Sequence, residues 1–194
     1  MHATPESSAP SVQDDPTALY WLMPLRYFYE RRGLVLPPIR FLEPRSIPEP
    51  DRSLLVHDRD MTPTLAAHHG SELRLEVLDL ERSDNYLLRL VILRRKDNLK
   101  PVECGAIGIH LDGFPPAARD LVLAGVVPLG AILAQENVPH QGAPRGFFDV
   151  VADDLIAHAL GQRPGDILHG RCNELSYPDG EAFADIVEIL PGNS

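Results

Sequence analysis

Two charged residues stand inside apolar segments, Arg89 in YLLRLVIL (86–93) and Glu188 in EAFADIVEILP (181–191). Each segment reads as a strand, in which side chains alternate between faces with period two. Leu87, Val91 and Leu93 therefore share Arg89's side, and Ala182, Ala184, Ile186 and Leu190 share Glu188's. A charge among apolar neighbours is costly unless it is paired or hydrogen-bonded. Arg89 needs a carboxylate and Glu188 needs a donor. Either the two satisfy each other or nearby groups, or a small anionic ligand lies between them.

Other residues with chemical potential carry less. His57, Asp58, Asp60, His68 and His69 are close in sequence but follow no HExxH pattern, and they read as solvated polar residues flanking a short helix rather than a metal site. His110 at the end of the third strand and His169 before Arg171 could line a pocket mouth or make ordinary hydrogen bonds. Glu103 should point to the opposite sheet face from Ala106. Cys104 and Cys172 have no metal or disulfide spacing and read as reduced thiols. GAIG and QGAPRG lack the strand–loop–helix grammar of a phosphate loop, and Asp153-Asp154 suits a helix start. No serine or cysteine sits in a nucleophile elbow.

The elements that must position Arg89 and Glu188 follow from pattern. The 194-residue chain suits one core-forming domain. Residues 1–18, acidic and rich in Ser and Pro, read as a flexible tail without signal-peptide features. Residues 19–53 hold several aromatics and read as a Pro-rich extended segment wrapping the core, and 54–191 as the main domain. Thr62 and Pro63 mark the start of a short helix over 62–69 that stops at Gly70. Three strand candidates follow, 72–82 with a bulge where its alternation slips, 86–94, and 101–111. Their short connections require an antiparallel meander. Residues 115–136 read as two helices broken near Gly125–Pro128, 137–147 as a Gly/Pro loop, 147–151 as a strand before a helical stretch, and 166–191 as a closing hairpin. The sum is an α+β domain, a six-stranded mostly antiparallel sheet covered by helices on one face.

A net charge of −10, with no Lys/Arg stripe, disfavours nucleic-acid binding. The longest apolar run, 121–134, is too short for a membrane span and contains Pro128. A cytoplasmic protein is the expectation; composition leaves its oligomeric state open.

Four motifs in order, Met61-Thr62 opening a helix, YLLR (86–89), a helical Pro128-Leu129-Gly130, and Glu188 before Ile189-Leu190-Pro191, make residues 54–191 resemble chorismate pyruvate-lyase. The wider superfamily includes ligand-sensing domains of bacterial transcription regulators. The resemblance implies a six-stranded antiparallel sheet with helical flaps over a buried aromatic-acid site. It implies a cofactor-independent lyase that splits chorismate, a dicarboxylate, into a hydroxybenzoate (4-hydroxybenzoate foremost) and pyruvate. Arg89 would grip a carboxylate, Glu188 would exchange a proton with the ring hydroxyl or leaving ether, and Met61, Thr62, Leu129 and Gly130 would belong to the flaps. A second arginine of the family falls at Ala106, so Arg171 or Arg145 would have to supply the missing charge. The alternative is a non-catalytic domain of the same fold that binds or senses a small aromatic carboxylate.

Overall fold

The computed structural model describes residues 16–192; the sequence reading of a flexible tail falls almost wholly outside them. Seven strands form one sheet in the order β1-β5-β6-β7-β4-β3-β2, with every pairing antiparallel. They are β1 (Ile39–Leu42), β2 (Leu73–Arg82), β3 (Tyr86–Arg95), β4 (Pro101–His110), β5 (Gln141–Val151), β6 (Ile167–Ser176) and β7 (Ala182–Ile189). The meander β2–β3–β4 and the hairpin β6–β7 stand as the sequence requires, and the β2 register shifts between Val77 and Asp79, where the alternation slips. The fold is α+β and chorismate lyase-like, with one strand more than expected.

Helices cover both faces of this sheet, not one. On the first face α1 (Pro16–Trp21), α2 (Met23–Arg31) and α7 (Asp154–Leu160) bury Leu25, Phe28 and Ile156 against Leu88, Leu90, Cys104, Ala106 and Val187. On the second, α5 (Pro116–Ala124) and α6 (Leu129–Gln135) pack Val122, Ile132 and Leu133 over Leu87, Ile107 and Ile109, while α3 (Asp51–Leu55) and α4 (Met61–His69) pack Leu55, Met61 and Leu65 over Leu93 and Leu190. Covered on both sides, β3 and β4 are buried along most of their length. That explains their near-continuous apolar runs.

Three local expectations need correction. Residues 19–53 are not extended throughout: Pro24 sits in the first turn of α2, where a missing N–H costs nothing, and Leu25, Phe28 and Tyr29 recur at helical spacing on its buried side. The other prolines fall after that helix, around β1, a 3-10 turn (Pro44–Ser46) and α3. The cap of α4 is Asp60, not Thr62, with Pro63 third in the helix and Gly70 ending it at φ 58°. The Gly/Pro stretch over 141–147 is strand, its register shifting between Pro144 and Gly146. Among the described residues no helix is long and apolar enough to cross a membrane.

Candidate functional site

Register decides which side chains meet. Arg89 pairs with Ile107 on β4, Ile107 with Ile186 on β7, and Ile186 with Asn173 on β6. One row over, Val91, Gly105, Glu188 and Arg171 line up across the same four strands. Partners in antiparallel strands project to the same face, so Arg89, Glu103, Gly105, Asn173 and Glu188 all point to the α4/α6 side. There they line a small cavity that opens to solvent at one side. Aliphatic walls come from Leu75, Val91, Leu93, Ile107, Leu175 and Ile186. The cover is the first turn of α4 (Asp60, Met61, Thr62) and the start of α6 (Pro128, Leu129, Gly130).

The two helix starts are fitted to each other. A Cβ on Gly130 would stand 3.3 Å from Asp60 Cβ and 3.4 Å from Thr62 Oγ1, so the glycine lets α6 approach α4 closely. Asp60 is held from the other side by His140, whose Nε2 lies 3.1 Å from its carboxylate while Nδ1 contacts the Val138 carbonyl at 2.8 Å. Thr64 Oγ1 donates to the Asp60 carbonyl at 2.9 Å.

The charges resolve in an unequal way. Glu188 is satisfied by Arg171, whose Nε donates to its carboxylate. Arg171 is fully buried, and its remaining donors reach the carbonyls of Leu55 (3.1 Å), His57 (2.8 Å) and Arg59 (3.2 Å). It ties the α3–α4 connection to the sheet and is not itself a wall of the cavity. Burial first, and then the Arg171 charge, lower the pKa of His57. Arg89 has no such partner. It is 2 % exposed, and its Nε and Nη1 make no hydrogen bond. Desolvation pushes its pKa down from 12.5 to about 10, leaving it charged at neutral pH.

A third charged side chain, Glu103, was assigned no role in the sequence reading. It is 5 % exposed, its Oε2 has no partner, and its pKa is pushed well above the carboxylate range by burial and then by the Glu188 charge, which Arg171 partly offsets. Its carboxyl folds back over Gly105, with Oε1 3.0 Å from where a Cβ would stand. Asn173 Oδ1 is likewise buried without a partner. Unsatisfied buried polar atoms are rare in folded chains. Here those of three residues, Arg89, Glu103 and Asn173, belong to side chains that line one cavity.

The sequence-selected residues Arg89, Glu188, Met61, Thr62, Leu129 and Gly130 thus share one cavity, with Arg171 supporting its floor. Ala106 does not belong to it. It lies in the core of the opposite face, and the β4 positions beside Arg89 are Gly105 and Ile107. Neither candidate replacement cation is free, since Arg171 serves Glu188 and Arg145 serves Glu174. His169 binds Asp51 at 2.7 Å, and His110 lies against the Tyr86 ring. Cys104 and Cys172 are buried free thiols whose pKa values are raised by desolvation. Among the described residues no group of His, Cys, Asp and Glu is arranged to hold a metal.

A helix-covered antiparallel sheet with an internal, cation-bearing cavity is the class of domain that this architecture defines. No family model matches the sequence, and no curated protein does. Solved structures do. PhnF from Mycobacterium smegmatis superposes with a TM-score of 0.55 at 12% identity, over 71% of this chain and 65% of PhnF. The chain thus spans about two thirds of the length of PhnF. The effector domain of PhnF alone gives 0.53 at 12% identity, over 69% of this chain and 89% of that domain. The ligand-binding domain of a GntR-family transcriptional regulator from Bordetella bronchiseptica gives 0.45 at 16% identity, over 63% and 91% of the two chains.

These findings correct the lyase reading. The two solved structures above that share the fold most fully are PhnF and its effector domain, and neither is a lyase. The local chemistry agrees: Glu188 is held by Arg171 rather than facing the cavity as a free acid, and Glu103 stands near Arg89 where a dicarboxylate would need a second cation.

Proposed function

We propose that this domain is a non-catalytic binding module that senses a small organic anion. The observation that carries the reading is the buried, charged guanidinium of Arg89, with Nε and Nη1 unpartnered, in a cavity with aliphatic walls. A charged group in that setting gains hydrogen bonds roughly worth 1.5–3 kcal/mol each when an anion arrives. Nothing else in the cavity lining is placed to serve as that anion, because Glu188 is paired and no Glu103 oxygen lies within ion-pairing distance.

The other roles follow from position. Met61, Thr62, Leu129 and Gly130, at the starts of α4 and α6, would close over the ligand, and Arg171 with Glu188 would hold the α3–α4 connection that carries one of those covers. Occupancy that shifts α4 against α6 would convert binding into a change of shape at the surface. The fold shared with the PhnF effector domain supports a sensing role over a catalytic one.

The test is calorimetric titration of the full chain with small mono- and dicarboxylates and with alkyl phosphates, repeated on Arg89→Met. Micromolar to millimolar binding that the substitution removes is the expected result. Binding of the same strength in Arg89→Met would refute the assignment.

A further inference from the structure

The unexplained group in the cavity is Glu103. An ionised carboxyl repels an anion, and a protonated one can serve it only as a single O–H donor, at the cost of its ordinary hydration. A threonine or glutamine would hydrogen-bond a hydroxylated ligand at a smaller desolvation cost. A buried carboxyl is favourable where a cation meets it.

The charges on the page set what fits. Arg171 and Glu188 cancel each other. Asp60, lining the cavity from α4, is engaged by His140. That leaves Arg89 on β3 and Glu103 on β4, both buried, both with unpartnered atoms, and not within ion-pairing distance of one another. Glu103 is faced by Glu188 from β7 and, behind it, by Arg171 from β6. A plain monoanion would neutralise Arg89 and leave Glu103 Oε2 unsatisfied. A molecule with a negative group at one end and a positive group at the other satisfies both.

The geometry points to a small zwitterion as the ligand of this cavity, an amino-carboxylate or amino-phosphate whose anionic group binds Arg89 and whose ammonium binds Glu103. The inference rests on the binding function proposed above. The Glu103 carboxyl sits over Gly105, one strand and one alternation step from Arg89. With strands about 4.8 Å apart and same-face residues about 6.6 Å apart, the two backbone positions are roughly 8 Å apart. A ligand that joins the two groups therefore needs a short aliphatic chain between its charged ends. Leu93, Val91 and Ile107 supply the apolar wall between them. Asn173 Oδ1, which can only accept, offers a further place for a donor. Burial raises the Glu103 pKa, and an ammonium placed beside the carboxyl would lower it again, so binding there favours loss of a proton.

The experiment compares trios that share one skeleton: butyrate, γ-hydroxybutyrate and γ-aminobutyrate, with the shorter and longer homologues and the corresponding phosphate-ended amines. The full chain is titrated calorimetrically at neutral pH in two buffers of different ionisation enthalpy. The amine should bind about 10- to 100-fold more tightly than the hydroxyl and plain members, the range of one charge-assisted hydrogen bond. It should also release a proton on binding. Glu103→Gln should bring the amine level with the hydroxyl compound while leaving the plain anion unchanged, and Arg89→Met should abolish binding of all three. Carboxylate against phosphate members identify the anionic group. A plain anion that binds through Arg89 as well as the amine does, or an amine advantage that survives in Glu103→Gln, overturns the zwitterion and leaves the binding function standing. Absence of binding by every member overturns both.

Discussion

Replacing Arg89 with methionine should make the ligand-free protein more stable, the opposite of what loss of a buried side chain usually does. The magnitude follows from the environment of the guanidinium. Its pKa falls from 12.5 to about 10 through desolvation alone, and at 1.36 kcal/mol per pKa unit the charged form costs about 3 kcal/mol in the folded state. Methionine occupies a similar length without the charge, forfeits some packing and leaves part of the cavity empty, so a net gain of about 1–3 kcal/mol is expected. The corresponding rise in Tm for a domain of this size is about 2–10 °C. The pH dependence adds a sign. A cation whose folded pKa is lowered carries its penalty at every pH below that value, and the penalty lifts only as pH rises from about 10 towards 12.5. The gain in Arg89→Met should therefore be the same at pH 5 and pH 8.

The assay is urea denaturation of the ligand-free chain, with Arg171→Met as the internal contrast. Arg171 is equally buried, but its removal leaves the Glu188 carboxylate unpaired and three backbone carbonyls without donors. It should cost about 3–5 kcal/mol. Two arginines a few residues apart in space would then respond with opposite sign. Destabilisation of Arg89→Met by more than about 1 kcal/mol would mean that its guanidinium is satisfied within the fold, and the argument for an awaiting anion would collapse.

Three further outcomes are expected. Because burial and then the Glu188 charge raise the Glu103 pKa above its unfolded value, stability should fall as pH rises past the ordinary carboxylate value towards the raised folded one; Glu103→Gln should flatten that slope in urea titrations run upward from pH 5, and parallel profiles would contradict the burial argument. Gly170→Ala should cost at least about 2 kcal/mol, because its Cβ would lie 2.5 Å from the Glu188 carbonyl oxygen and from the Phe148 ring; a wild-type denaturation midpoint would show that β6 and β7 can part there. Asp153→Ala should lose about 1 kcal/mol, since the carboxylate caps α7 by accepting from Ile156 N–H at 2.9 Å, and amide exchange in the first turn of that helix should quicken.

Much of the fold was legible because its signals are local. The slipped alternation of 72–82, the short turns on either side of 86–94 and the break near Gly125–Pro128 each carry their own punctuation. What escaped was set by tertiary contact. Gly142, Pro144 and Gly146 make 141–147 look like a loop, yet they are what the strand needs: a Cβ at Gly142 would stand 2.4 Å from the Asp58 carbonyl, and one at Gly146 would stand 2.4 Å from the Phe41 ring. Pro144 falls where the register already shifts. In the first fifty residues the proline count obscured a helical recurrence, Leu22, Leu25 and Phe28–Tyr29, all of it buried.

The site shows the same division more sharply. Period two separates Glu103, Gly105 and Ile107 from Cys104 and Ala106, but it does not say which set faces Arg89. That depends on the β3–β4 register, and a slip of one residue exchanges the two faces. Aligning the family's second arginine with Ala106 made the site look like an anion site short of one cation. With Ile107 opposite Arg89, the missing cation becomes an acid, and the same strand changes meaning. An arginine and a glutamate, each buried and neither satisfied by the fold, both weaken the empty protein. Their presence in one cavity is accounted for when the state that satisfies them contains a ligand with opposite charges at its two ends.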